Sequence, residues 1–291
     1  MKLHYFKAPN GNFGDDLNEW LWSHLLPKWR ESSPDIILVG VGSILNEKQL
    51  RPFRNDRILI LGAGVGYGGG PPKQPLPKNW DFRAVRGPLS ASILGLPSTL
   101  AILDPAMMVP ELPEFRADQI IPGSCPIFVP HHTSVHRHNW KAACAEAGLE
   151  YVSPELDSSY VIKKIAGARI VLAEAMHAAI VADSFRVPWI PVKIGERFNY
   201  FKWHDWAGSL NILPKIPPFF PILNELGAAL SLSRGRRMQE RIRSVVERPI
   251  LVRGLIRNLR REAYLSADST LEKKKQRFLS VLEDVSKEYC P

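Results

Sequence analysis

The residues best suited to chemistry lie within Arg169–Trp189, RIVLAEAMHAAIVADSFRVPW, where Glu174 and His177 separate an apolar run from a helix-spaced segment. Arg169–Ala173 reads as a buried strand. From Ala175 to Phe185 the apolar residues recur at helical intervals, until Val187-Pro188-Trp189 ends the helix. His177 then stands near the mouth of a strand-to-helix turn. In an open α/β sheet, ligands bind outside the carboxyl ends of the strands, and free backbone N–H groups at a helix start favour an anion. An imidazole there can exchange a proton with a bound anion, and Glu174 could fix its tautomer or raise its pKa. The competing role is a core histidine satisfied by a backbone carbonyl.

Four other clusters carry candidates. Asn12-Phe13-Gly14-Asp15-Asp16-Leu17-Asn18 sets two carboxylates at a helix start, where they either cap the helix or form an acceptor-rich rim for sugar hydroxyls, one Asp acting as a base. Arg86-Gly87-Pro88-Leu89-Ser90 puts a guanidinium beside a helix start, suited to a bidentate grip on phosphate or carboxylate, or to an inter-element salt bridge. His131 and His132 directly follow a strand and could touch an anionic substrate. With His136 and His138 they lack the carboxylate or cysteine spacing of a metal site. Lys193 and Arg197 follow the next strand and could complete an anion pocket, with Lys202, Trp203 and Asp205 as further candidates. Gly64-Val65-Gly66-Tyr67-Gly68-Gly69 is formally a dinucleotide fingerprint, but Pro71-Pro72 follows where a helix should open. Those glycines let backbone approach a ligand or a facing domain, or form a flexible loop.

The elements that must hold these groups alternate. Strands are expected at Lys2–Phe6, Asp35–Gly40, Arg57–Gly62 and Phe82–Arg86, then at Pro126–Pro130, Leu149–Val152 and Trp189–Lys193, with helices between them. Short apolar strands that end in glycine argue for parallel sheets covered on both faces. The fold class is therefore α/β with two Rossmann-like domains, at 1–115 and 116–220, followed by a basic helical tail at 221–291.

With 45% hydrophobic and 23% charged residues, the 291-residue chain has a globular composition. No apolar run suits a membrane span and the start lacks a signal-peptide core, so a cytoplasmic location is expected. The three cysteines are widely spaced and odd in number, which points away from a disulfide framework. Much of the +9 charge gathers between Arg234 and Arg277. Such a tail suits an anionic membrane surface or is simply a solvated face, and the scarcity of aromatics in it disfavours nucleic acid.

Asn12–Leu17, Arg86–Ser90 and Glu174–Trp189 together resemble the polysaccharide pyruvyl transferases, nearest to the bacterial exopolysaccharide branch that makes pyruvate ketals on sugars. The resemblance spans roughly residues 1 to 210 by motif order. It implies a GT-B-like pair of domains with the site in the cleft, phosphoenolpyruvate as donor, and neither metal nor nucleotide cofactor. It further implies His177 as the acid, with Asp15 and Glu174 also catalytic. The donor side would hold Arg86, His131, His132, Ser134, Met176, Lys193 and Arg197. The acceptor side would hold Asn12, Asp16 and Gly64. The acceptor would be a sugar, free or lipid-linked, which fits a location at the inner face of the cytoplasmic membrane. Some members carry an arginine two positions before the histidine. Here that position is Ala175, so anion binding falls to Arg86, Lys193 or Arg197. The alternatives are a nucleotide-sugar glycosyltransferase of the same architecture and a non-catalytic assembly subunit.

Overall fold

The computed structural model describes residues 1–194, 198–219 and 246–290. The contacts divide the chain into two compact units: Met1–Gln119, Asn199–Pro214 and Ser266–Pro291 form one, and Ile120–Phe198 and Lys215–Leu265 form the other.

Unit 1 carries a parallel sheet of β1 (Lys2–Leu3), β2 (Ile36–Val39), β3 (Arg57–Leu61) and β4 (Trp80–Ala84), in that spatial order. All of β2, and all of β3 beyond Arg57, is buried. Continuous apolar runs rather than alternating ones are what a sheet buried on both faces requires. Helices α1 (Phe13–Asp16) and α2 (Asn18–Leu25) follow β1, α3 (Glu47–Leu50) follows β2, and α4 (Pro88–Ile93) follows β4 with proline in its first turn.

Unit 2 carries β5 (Pro126–Val129), β6 (Glu150–Tyr151), β7 (Ile170–Ala173) and β8 (Trp189–Pro191), all parallel, in the order β6-β5-β7-β8. Its helices are α5 (Trp140–Ala147), α6 (Ser158–Ala166) and α7 (Met176–Ser184). Every residue of α7 is buried. The small residues Ala178, Ala179 and Ala182 suit a helix enclosed on all sides.

Among the described residues three later helices follow. Helix α8 (Tyr200–Ser209) belongs to unit 1, α9 (Arg248–Leu259) to unit 2, and α10 (Asp268–Tyr289) to unit 1 again. The described parts of the basic C-terminal segment fall in different units, 246–265 in unit 2 and 266–290 in unit 1. The reason is two separate apolar stripes: Leu251 and Leu255 join the core around Phe128 and Trp140, while α10 buries Leu271, Phe278, Val281, Leu282 and Val285 in unit 1. Polar contacts pin α10 to unit 1, with Tyr289 Oη donating to Asp81 (2.6 Å), Arg83 pairing with Glu288 (2.5 Å) and Lys275 pairing with Glu111 (2.6 Å).

The first strand is shorter than expected, and the fourth starts at Trp80 rather than Phe82. Residues 221–245, with Arg234, Arg236, Arg237, Arg241 and Arg243, lie outside the described residues, as does Arg197. Among the described residues no helix is long and apolar enough to cross a membrane.

Candidate active site

The strand order of unit 2 decides where its polar residues meet. With β6 on one side of β5 and β7 on the other, the chain leaves β5 towards β6 and leaves β7 towards β8, which makes the carboxyl ends of β5 and β7 a topological switch point, the place where open α/β sheets bind ligands. His131 and Ser134 follow β5, Glu174, Met176 and His177 follow β7, and Lys193 follows the neighbouring β8. Three adjacent parallel strands therefore deliver these residues to one edge of the sheet.

Glu174, 4% exposed, ties that edge together. Its carboxylate accepts the His131 backbone N–H (2.9 Å) and the Ser134 hydroxyl (3.0 Å), while its own N–H donates to the Val129 carbonyl (3.0 Å). The side chain expected to tune His177 thus also shapes the 131–134 loop. His177 lies in the first turn of α7, 8% exposed, and no side chain caps that helix start. The rings of His131 and His132 sit 4.4 Å apart. His136 instead pairs with Glu155 (3.2 Å) and His138 with Glu247 (2.5 Å). Among the described residues no group of three His, Cys, Asp or Glu side chains is placed to hold a metal ion.

In unit 1, Arg86 is completely buried. Its guanidinium donates from Nε to Asp205 (3.0 Å), from one terminal nitrogen to Ser43 Oγ (2.7 Å) and from the other to the Val65 carbonyl (2.7 Å). Asp205 also accepts the Ser90 N–H (2.7 Å) and the Ser90 hydroxyl (2.6 Å), which fastens α8 to the start of α4. This is the inter-element salt bridge left open by the sequence. An anion would have to displace Asp205 or Ser43 to reach the guanidinium. Gly64 serves the same pair, because a Cβ there would stand 2.3 Å from Arg86 Cζ. The glycine run approaches side chains of its own unit: a Cβ on Gly66 or Gly68 would meet Ser43 or Asn46.

Asp15 and Asp16 make different contacts with Asn12. Asp16 accepts the Asn12 backbone N–H (2.9 Å), a capping contact across the short α1, while Asp15 accepts from the Asn12 side-chain amide (2.5 Å). Asp15 is buried, and burial pushes its carboxyl up to about 7 against the opposing pull of Lys202 and Asn12. A carboxyl near neutrality can pass protons in either direction. Asp104, also buried, is pushed up to about 6 by burial despite the nearby Arg86.

The polysaccharide pyruvyl transferase family model matches residues 4–195. The chain belongs to this family. Over its full length it is also similar to the succinoglycan biosynthesis protein ExoV of Rhizobium meliloti (strain 1021), at 37% identity across 320 aligned positions covering 99% of this chain and 100% of the relative. The stretch matched by the pyruvyl transferase family contains Asp15, Arg86, Glu174 and His177, and stops before Lys202 and Asp205. The last two carry little sequence signal. They are isolated charges in a tryptophan-rich helix, and only the packing of α8 into unit 1 reveals their partners.

Proposed function

We propose that this chain transfers a pyruvyl group from phosphoenolpyruvate to two hydroxyls of one sugar in an exopolysaccharide or its lipid-linked precursor. The products are a pyruvate ketal and inorganic phosphate. The observation that carries this reading is His177 in the first turn of α7, which follows β7 at the β5/β7 switch point, together with the 131–134 loop that Glu174 holds. The GT-B-like arrangement implied by the resemblance belongs to the same proposal.

The steps follow from the donor's chemistry. His177 protonates the methylene carbon of the enol, which becomes the ketal methyl, and C2 becomes electrophilic. One sugar hydroxyl adds to C2 and loses its proton. The C2–O bond to phosphate breaks, phosphate leaves, and the second hydroxyl adds and loses its proton in turn. One hydroxyl proton replaces that spent by His177, and the other leaves with phosphate. The donor's two anionic groups need cationic and N–H partners, for which the α7 start, His131, His132, Ser134 and Lys193 are the candidates in unit 2. Arg197 and Met176 belong to the same donor set. Asp15 takes the acceptor's proton, and Asn12, Asp16 and Gly64 belong to the proposed acceptor set.

His177→Ala is expected to abolish ketal formation and leave the thermal melt close to wild type. The assay follows phosphate release together with the ketal methyl signal by NMR, using phosphoenolpyruvate and an oligosaccharide acceptor. Wild-type turnover in the variant overturns the role of His177. Thermal stabilisation by a UDP-sugar but not by phosphoenolpyruvate favours a glycosyltransferase instead.

A further inference from the structure

We propose that the glycine loop 66–70 and Lys202 form a binding site for a phosphate group, with backbone N–H groups and one ammonium as its donors. The site lies in unit 1, goes beyond the donor contacts assigned to unit 2, and does not depend on them.

The loop follows β3 and is tied down through its carbonyls. The Gly66 carbonyl accepts the Asn199 side-chain amide (2.8 Å), the Gly68 carbonyl the Lys48 N–H (3.2 Å) and the Gly70 carbonyl the Glu47 N–H (3.1 Å). Among the described residues, no acceptor meets the N–H groups of Gly66, Tyr67, Gly68, Gly69 or Gly70. The loop's acceptors are engaged while its donors are not. Gly68, Gly69 and Gly70 stand at φ of 82°, 88° and 94°, a run suited to glycine. A Cβ on Gly68 would stand 2.2 Å from Asn46 Oδ1, whereas one on Gly69 or Gly70 would meet nothing within 4 Å beyond the adjoining residues. The loop is therefore packed at Gly68 and open at its tip. Successive unpaired N–H groups in a turn are a recurrent anion-binding device.

The cation comes from α8. Lys202 lies in its first turn and is 7% exposed. Asn199 Oδ1 accepts the Lys202 N–H (3.1 Å), so the residue that caps α8 also holds the loop. Lys202 Nζ stands 4.9 Å from the Tyr67 ring centroid, and among the described residues it makes no hydrogen bond and no ion pair. An ammonium so deeply placed needs an anion to offset its lost hydration, and an aromatic face replaces one only in part. Arg86, which donates to the carbonyl just before the loop, is already held by Asp205, Ser43 and Val65. A lysine point charge beside several backbone N–H groups is a donor set that suits phosphate. Two sources present that group: a small phosphoryl ester such as the proposed donor, and the diphosphate of a lipid-linked sugar.

The test records amide spectra of the 15N-labelled full chain during titration with inorganic phosphate, phosphoenolpyruvate and geranyl diphosphate. At least one probe is expected to shift the amides of Gly66, Gly68, Gly69 and Gly70 saturably. Lys202→Met is expected to weaken that binding by about tenfold or more, and Lys202→Arg to retain most of it. Lys202→Gln serves as a second neutral variant, and the spectra themselves report whether each protein is folded. Tightest binding of phosphoenolpyruvate or phosphate assigns the site to the donor side, and of geranyl diphosphate to a diphosphate-linked acceptor; either supports the site. Loop amides of the wild type that no probe moves overturn the proposal, as does unchanged affinity in a folded Lys202→Met or Lys202→Gln protein. No turnover is read, so this outcome is separate from that of the pyruvyl transfer assay.

Discussion

At the scale of single residues, the buried carboxyl of Asp15 links chemistry to stability. Its ordinary value of 3.8 is raised to about 7 in the fold. Between roughly pH 4 and pH 7 the folded chain therefore holds a proton that the unfolded chain has released, so stability falls as pH rises through that window. Above it both states are ionised and the full cost of burying the charge remains, on the order of 4 kcal/mol at ~1.4 kcal/mol per unit. Asp15→Asn keeps an acceptor for Asn12 and removes that charge. It is expected to raise stability at pH 8 by about 2–4 kcal/mol, to flatten the pH dependence of thermal melts between pH 5 and pH 8, and to lose transfer activity. Arg86 behaves differently. Both Arg86 and Asp205 are completely buried, so removing either would strand the other's charge in the interior.

At the scale of elements, the two C-terminal helices show how a chain segment is assigned by its apolar stripe. Helix α10 covers the edge of the unit 1 sheet at β4, through Tyr289 to Asp81 and Arg83 to Glu288. Deleting residues 266–290 would expose the apolar surface that Leu271, Phe278, Val281 and Leu282 now cover. Amide exchange at β4 and β3 is expected to accelerate strongly in that deletion, while β5 and β7 of unit 2 keep their protection. Equal loss of protection in both units would show that α10 does not stabilise unit 1 selectively. Residue charge alone gives no hint of this role, because Lys273, Lys274 and Lys275 read as part of one basic tail. Yet Lys275 pairs with Glu111, and Lys274 donates to the Ala101 carbonyl (2.9 Å), so these cations are partly spent on the fold.

At the scale of the whole molecule, one group of solvent-facing cations among the described residues gathers along α9. Arg253 and Arg257 of α9 and the C-cap residue Arg260 are exposed at i, i+4, i+7 spacing, which puts them along one side of the helix, although Arg257 also donates to the Phe219 carbonyl (2.6 Å). Such a face would favour an anionic surface carrying a lipid-linked acceptor. Replacing Arg253 and Arg260 together by Glu is expected to cut sedimentation with phosphatidylglycerol vesicles several-fold at low salt, at roughly 1 kcal/mol per charge near the surface. Unchanged sedimentation would remove α9 from any membrane role. High salt should weaken wild-type binding in parallel, since exposed charges are screened over about 10 Å.

The sequence by itself determined the strand and helix series, because its signals are local. Runs such as Ile36–Val39, Pro126–Val129 and Ile170–Ala173 are apolar throughout and short, which suits strands buried on both faces. It likewise marked His177 and Glu174, since a strand end followed directly by a helix start can be read within one short segment. The tertiary structure alone decided who meets whom. Arg86 and Asp205 are 119 positions apart, and neither period nor composition pairs them. The β6-β5-β7-β8 order, which brings the His131 loop beside Glu174, is likewise a matter of strand pairing across the sheet. The same holds for Lys202, a charge in a tryptophan-rich helix until α8 packs into unit 1 and its Nζ stands 4.9 Å from the Tyr67 ring centroid. Periodicity reports which face of an element is buried; which core buries it depends on packing between elements distant in the chain.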